Sequence, residues 1–429
     1  MHKLDTEHAR DGRGPVTHSL STGMRACVVG RSLPWVLIAM VLVAPLAVVR
    51  ESGLFAYLAQ AAAMIVFALS YNLLLGETGL LSFGHAAYAG LGAFAAAHFF
   101  NRGGIALPWL PLAGGVAGAA FGVLFGAVAT RRAGTAFAMI TLGLGELVAA
   151  AVWTLPAGFG GAAGVAIDRG SGPAWGAVTF GAPREAYAVI AAWTALSVAA
   201  MFALTRTPLA RIANAVRDNA TRVAALGIDP RRVRLTMFVL AAFFAGVAGT
   251  LTLIDVELAS AESVAMARSG AVLIATVIGG SSVFFGPVIG ALVLTALSVA
   301  LASITRAWPV YLGLMFIAVV LGLPDGMAGW VRAHRLRIER YGTSGLSVVY
   351  ALGAVAAVAW VAALAIAVES LYARRFTADA GGVWRVGSLV FDWAAPGTWS
   401  TLAALIAVGG AAHYALRVRL RTTATGRLQ

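Results

Sequence analysis

From Ser269 to Leu301 the chain reads SGAVLIATVIGGSSVFFGPVIGALVLTALSVAL, without one charged residue. A membrane crossing needs about 20 apolar residues. This run is too long for one comfortable crossing and short for two, and GGSSVFFGP at 279–287 interrupts it. Glycine and proline breaks persist at membrane depth only where protein or a water-filled cavity satisfies the freed backbone groups. A second interruption comes early. ALSYNLLLGETGLLSFGHAAYAGLGAFAAA, 68–97, sets Glu77, Ser82 and His85 among five glycines inside an otherwise lipid-soluble segment. Paired, interrupted hydrophobic segments point to a transport path.

The rest of the chain agrees. It is 60% hydrophobic and 11% charged, with mean hydropathy +0.85, where a soluble domain carries about 25% charged residues. The apolar runs are continuous and lack the period-two alternation of a β-barrel. The expected fold is an all-α polytopic membrane protein, a helical bundle of about 10–12 transmembrane segments with broken helices. Candidate spans are 33–49, 54–75, 80–100, 107–129, 134–155, 186–204, 235–254, the broken stretch 269–303, 309–330, 346–368 and 398–416. Residues 1–32 are polar, lack the apolar core and cleavage site of a signal peptide, and read as a disordered cytoplasmic tail. Residues 33–331 form the expected transmembrane domain, and 332–429 a C-terminal extension with about two further spans.

The net charge is +13, and Lys3 is the only lysine. Arginines cluster at 131–132, 206–234, 332–340 and 417–427. All fall on one side if 269–303 crosses twice, which places both termini and the 206–234 loop in the cytoplasm by the positive-inside rule. Loops 156–185 and 369–397, rich in Gly, Pro and Trp, then lie outside. No segment makes a basic surface domain for nucleic acid. Cys27 stands alone, so no intramolecular disulfide and no cysteine metal cluster can form. No histidines occur at metal-site spacing. A P-loop needs a lysine on the phosphates, and Lys3 cannot supply it. GLGAFA at 90–95 lies in an apolar segment and is no dinucleotide fingerprint.

Glu146, in ITLGLGELVAA, is the one acid near the middle of a candidate span. An ionisable group there costs roughly 2.5–3.5 kcal/mol and by default marks function. It serves either to hold a substrate ammonium or to hydrogen-bond a neighbouring helix. Gly114, Gly118, Gly122 and Gly126 repeat every fourth residue, a smooth stripe for close helix approach. Such a stripe contacts either a second membrane subunit or, more commonly, another helix of the same chain. The two interruptions are expected to be joints of broken helices lining a path, with Ser82, Ser281 and Ser282 as N-caps and Gly84, Gly279 and Gly280 admitting close backbone approach. A helix starting near Ser82 would turn backbone N–H groups toward a carboxylate. His85 either lines that cavity or is an interior histidine with its bonds satisfied.

Four motifs, in order, carry a resemblance. They are GETGLLSFGHAAYAGLGAFAAA (76–97), ANAVRDNATRVAALGIDPRRVRLTMFVLAAFFAGVAGTL (213–251), VIGGSSVFFGPVIGAL (277–292) and GLMFIAVVLGLPDGMAGW (313–330). Together they resemble the LivM-like inner-membrane permease subunits of bacterial branched-chain amino acid ABC importers, over about 50–330. The resemblance implies a second permease subunit, two ATPase subunits that bind the ATP and magnesium, and an external solute-binding protein. It implies no cofactor on this chain and no enzymatic activity of its own. It also implies that Val216, Arg217, Asp218, Asn219, Leu226 and Gly227, within the loop 206–234, couple to the ATPase. The residues suit that role physically. Ile212, Val216, Val223 and Leu226 fall at helical spacing, Gly227 can end the helix, and Asp229-Pro230 reads as a stop signal. An ordinary arginine-rich loop would show the same pattern. The chain departs from the family pattern at Ala220 and Ala224, where acids are usual, and at Gly270 and Ser282.

The leading function is therefore a translocation-path subunit for branched-chain or related amino acids. The alternatives are the same architecture carrying urea, amides or sugars, and a stand-alone secondary carrier. No catalytic constellation converges to support a membrane enzyme.

Overall fold

The computed structural model describes residues 35, 38–48, 52–173, 178–323, 325–376, 383–386 and 389–425. The expectations for 1–32 lie outside these residues, as do those for Pro324 and the last four positions. Every apolar stretch picked out in the sequence lands on a helix. They are α1 (Ile38–Val48), α2 (Ser52–Thr78), α3 (His85–Gly103), α4 (Leu110–Ala129), α5 (Thr135–Thr154), α6 (Pro183–Thr205) and α8 (Pro230–Val256). The series continues with α9 (Met266–Gly279), α10 (Gly286–Ala296), α11 (Trp308–Gly322), α12 (Gly326–Phe376) and α13 (Pro396–Thr425). Between α6 and α8 lies α7 (Pro208–Ala225), amphipathic rather than apolar. Among the described residues eight helices are long and apolar enough to cross a membrane, or nine if the pair around 323–325 counts as one bent span.

The shortfall against the 10–12 expected segments has a physical cause. Helix α3 carries His85, His98, Asn101 and Arg102 and fails the apolarity that lipid demands, α9 has only 14 residues, and only Ile38–Val48 of the first stretch lies wholly within the described residues. Helix α3 instead hides in protein, with thirteen of its residues buried between α4, α5 and α8. Helix α8 is the axis of the bundle, with 78% of its apolar window enclosed. It packs on α2, α3, α4, α6 and α7.

The glycine stripe of α4 makes that axis possible. A methyl on Gly118 would strike the Ala242 carbonyl and Gly246, one on Gly122 would stand 2.7 Å from Cβ of Ala242, and one on Gly126 2.7 Å from the Phe238 ring. A methyl on Gly114 would collide with Oγ1 of Thr250. The stripe therefore packs inside the chain against α8, and the reading as a contact for a second subunit is set aside for these four residues. The opposite face of α4 exposes Val116, Val123, Leu124 and Val128.

The run 269–303 divides into two helices at the expected interruption. Helix α9 ends at Gly279, Gly280 takes φ +99°, and α10 begins at Gly286 and continues helically to Ile304, with a π-helical segment at Leu297–Leu301. At the end of the molecule opposite α7, strand β1 (Val165–Ala166) pairs antiparallel with β2 (Leu258–Ala259). Arg169 clamps this pairing, with Nε 2.8 Å from the Glu257 carboxylate and Nη1 donating to the Ile254 carbonyl at 3.0 Å.

Residues 332–345, read in the sequence as an arginine-rich loop between spans, are part of α12, a single helix of 51 residues. At 1.5 Å per residue it extends about 75 Å, more than twice the hydrocarbon thickness, so it cannot lie wholly in lipid, and Val348–Phe376 is the part that is by itself long and apolar enough to cross. The extension builds its own small core of Ala363, Ile366 and Leu402, flanked by Trp384 of β3 (Val383–Val386) and Phe391 of β4 (Leu389–Asp392).

Candidate functional site

The two interruptions seen in the sequence meet in space. Helix α2 ends on Gly79, whose φ of +68° is open to glycine at no steric cost. The Gly79 N–H donates to the Leu75 carbonyl and the Leu80 N–H to that of Leu74. A methyl on Gly76, one turn earlier, would stand 2.9 Å from the Ser281 carbonyl in the α9–α10 break. The α9–α10 break in turn lies against a third, between α11 and α12. Gly326 takes φ +68°, and its backbone presses on Gly280. Three broken joints are thus stacked at one end of the bundle.

Helix α7 grips that stack. Thr207 caps its start by accepting from the Ala210 N–H, with Pro208 at the first helical position. Ala210, Ala213, Val216 and Val223 bury one face, and Arg211, Asp218 and Arg222 line the other. From the boundary between the faces, Nδ2 of Asn214 donates to the Glu77 carboxylate at 2.5 Å. Arg217 lays its aliphatic stem over Gly79, where a methyl would stand 2.8 Å from its Cγ, and its guanidinium donates to the Gly76 carbonyl. Asn219 leaves helical geometry and its Oδ1 accepts from the Arg222 N–H, so it caps a second, shorter piece of the helix.

Two details of the loop differ from the sequence reading. Leu226 does not join the buried face but is 76% exposed at the tip, beside Gly227 with φ +83°. Asp229-Pro230 is a start rather than a stop. Asp229 caps α8 by accepting from the Arg231 N–H, with Pro230 at the first helical position.

The serines do not cap. Helix α3 begins at His85 with Gly84 at its cap and no side-chain bond there, and α10 begins at Gly286 after Phe285. The freed donors at the start of α3 are taken by distant helices instead. The Phe83 N–H donates to Thr141 Oγ1 at 3.2 Å and the Ala86 N–H to Ser269 Oγ at 2.9 Å. Gly84 fits tightly here, since a methyl would collide with the Thr141 carbonyl. His85 is an interior histidine, but only one of its ring nitrogens is satisfied, since the buried Nδ1 has no partner among the described residues. It is 1% exposed, its Nε2 lies 3.0 Å from Ser70 Oγ, and its ring stacks on Phe67 at 5.5 Å. Ser82 is also fully buried. Gly279 and Gly280 are buried in the turn between α9 and α10, Ser281 is half-buried and Ser282 exposed. Glu146 is exposed on α5, one position past the Gly145 that packs on Gly84, and does not face Ser82 or His85. These residues therefore do not converge on one cavity within the chain.

Comparison with known proteins fits this frame. Residues 53–323 match the family described as "Branched-chain amino acid transport system / permease component". The chain belongs to that family. It is 29% identical over 296 residues to the high-affinity branched-chain amino acid transport system permease protein LivM of Escherichia coli K12, covering 62% of this chain and 68% of that protein. The Salmonella typhimurium LT2 protein of the same name matches equally. No solved structure matches. The permease is a multi-pass membrane transport subunit rather than an enzyme, and members of such importers work with membrane, ATPase and binding-protein partners. The match stops at Leu323, the last residue before the α11–α12 break, so α12 and α13 lie beyond it.

Two functional candidates in the permease, Asn214 and Arg268, were not singled out in the sequence, and Glu77 was noted there without a role. The pairing of Asn214 with Glu77 became visible only when folding brought positions 137 residues apart together. Arg268, which precedes the uncharged run 269–301, turns its guanidinium inward to Thr252 and lies 5.7 Å from the Phe67 ring.

Proposed function

We propose that this chain forms the translocation path for branched-chain or related amino acids in an ATP-driven importer, and that α7 is the element a separate ATPase moves. In this reading the cell membrane holds this chain beside a second permease subunit. Two ATPase subunits, carrying ATP and magnesium, sit beneath α7, and an external binding protein delivers solute from the far side. The amino-acid cargo comes from the names of the relatives, and it leads over urea, amides or sugars on that ground. A stand-alone carrier does not fit the family. The arginine distribution supports a cytoplasmic position for α7 and both termini.

One observation carries the coupling role. Asn214 and Arg217 bind the last turn of α2, at the joint that also touches the α9–α10 break. A push on α7 therefore reaches two broken helices at once. The outward residues Asp218, Asn219, Leu226 and Gly227 are left for the ATPase, and the exposed Leu226 suits an apolar socket. The test is reconstitution of the full complex in proteoliposomes. ATP-dependent uptake that persists undiminished when both grips are removed together, in Asn214→Ala with Arg217→Ala, would refute the reading.

A further inference from the structure

The cavity that the interruptions did not provide lies elsewhere, on the half of the bundle away from α7. A hollow of 220 Å³ opens between α2, α8, α9, α10 and α11. Its liquid-water equivalent is about seven molecules, a volume for a small solute. Arg268, near the start of α9, projects into it. Its Nη2 donates to Thr252 Oγ1 at 2.7 Å, and its guanidinium faces Phe67, midway along the Gly53–Thr78 span. No described carboxylate pairs with it. An arginine turned in among membrane helices without a counter-charge is costly and by default has a task.

The remaining walls say what the task is. Met64, Leu294 and Leu312 are apolar, while Thr295 and Ser298 add hydroxyls. Ser298 lies in the π-helical segment Leu297–Leu301, a distortion frequent at functional sites. A guanidinium offers five donors in a planar fork that matches a carboxylate. One goes to Thr252, and the others remain for a ligand. No lining residue is an acid that would hold a cation.

We infer that this cavity is a binding site for a small monocarboxylate with a short aliphatic chain, the carboxylate held by Arg268 and the chain by the apolar wall. The inference rests on the proposed cargo, and it identifies the carboxylate, not the ammonium, as the group this subunit reads. Arg268 thereby becomes a specificity residue.

Cys27 is the only cysteine, so a Cys27→Ser, Ala271→Cys chain carries a single thiol on the cavity wall. The assembled transporter in nanodiscs is treated with a fluorescent maleimide, and labelling is read on this chain's band. Millimolar leucine and 4-methylpentanoate should each slow labelling about tenfold, whereas leucinamide and isopentylamine should not. Arg268→Gln should abolish the protection and Arg268→Lys should restore part of it. If Arg268→Gln fails to assemble, the ligand series on the Arg268 chain still decides. Equal protection by leucinamide, or none by either carboxylate, overturns the inference. Protection by carboxylates in a transporter that takes up no amino acid upholds the site and refutes the cargo. Leucine uptake without protection refutes the site and leaves the cargo standing.

Discussion

Nδ2 of Asn214 lies 2.5 Å from Oε2 of Glu77, joining the amphipathic helix to the last turn of a membrane-crossing one. Arg217, one turn further along α7, holds the same joint through the Gly76 carbonyl. Two grips three residues apart fix both the position and the rotation of α7 against α2. That is what a lever needs if movement at one end is to appear at the other.

Asn214→Ala and Arg217→Ala should therefore uncouple rather than inactivate. A hydrogen bond to a charged group contributes about 1.5–3 kcal/mol, so uptake should fall about tenfold or more. ATP hydrolysis by the complex should continue, because its catalytic parts lie in another subunit. Parallel loss of hydrolysis and uptake would show that α7 is a docking element only.

Gly84 and Gly143 make a matched pair. Gly84→Ala should lower thermal stability in nanodiscs by about 1–3 kcal/mol, the usual cost of overpacking, since its methyl meets the Thr141 backbone. Gly143, inside α5, has nothing within 4 Å of an added methyl. Gly143→Ala should be neutral, or stabilising by up to about 1 kcal/mol from helix propensity.

Gly118→Leu should destabilise this chain by prising α4 from α8, with the amount of folded protein as the readout. Charged substitutions at Val123 and Leu124, on the exposed face, should leave the α4–α8 contact intact and instead reduce membrane insertion or subunit association. Cross-linking to the second permease subunit, normalised to folded chain, separates the two effects.

Arg169 and Glu257 should respond unequally. Glu257→Gln loses an ion pair whose acid is 38% exposed, which is worth less than about 1 kcal/mol. Arg169→Gln also strips a donor from the Ile254 carbonyl and should cost about 1–3 kcal/mol. Hydrogen exchange over 161–172 should quicken much more in the second variant.

Helices were legible in the sequence because long apolar runs leave little choice: 134–155 falls within a residue of both ends of α5, and 107–129 ends with α4 and begins three residues before it. Which way a side chain turns on such a helix was not. Lipid and protein interior are both apolar, so no stripe distinguishes inside from outside, and Glu146 was placed facing inward when it is exposed. The serines were misassigned because capping depends on where the helix begins: Gly84 is packed tightly against Thr141 just before α3, and Pro287 stands in the first turn of α10. Asp229-Pro230 shows that one dipeptide both closes a turn and opens the helix after it. Residues 332–345 hold no proline, and their arginines are good helix formers, so the expected loop had little to break it.

The C-terminal extension keeps its hydrophobic nucleus separate from that of the bundle. Tyr311 on α11 reaches across to it, donating to the Glu369 carboxylate at 2.8 Å. Injury to Ala363 or Leu402 should thus stay local and leave the packing of the bundle untouched.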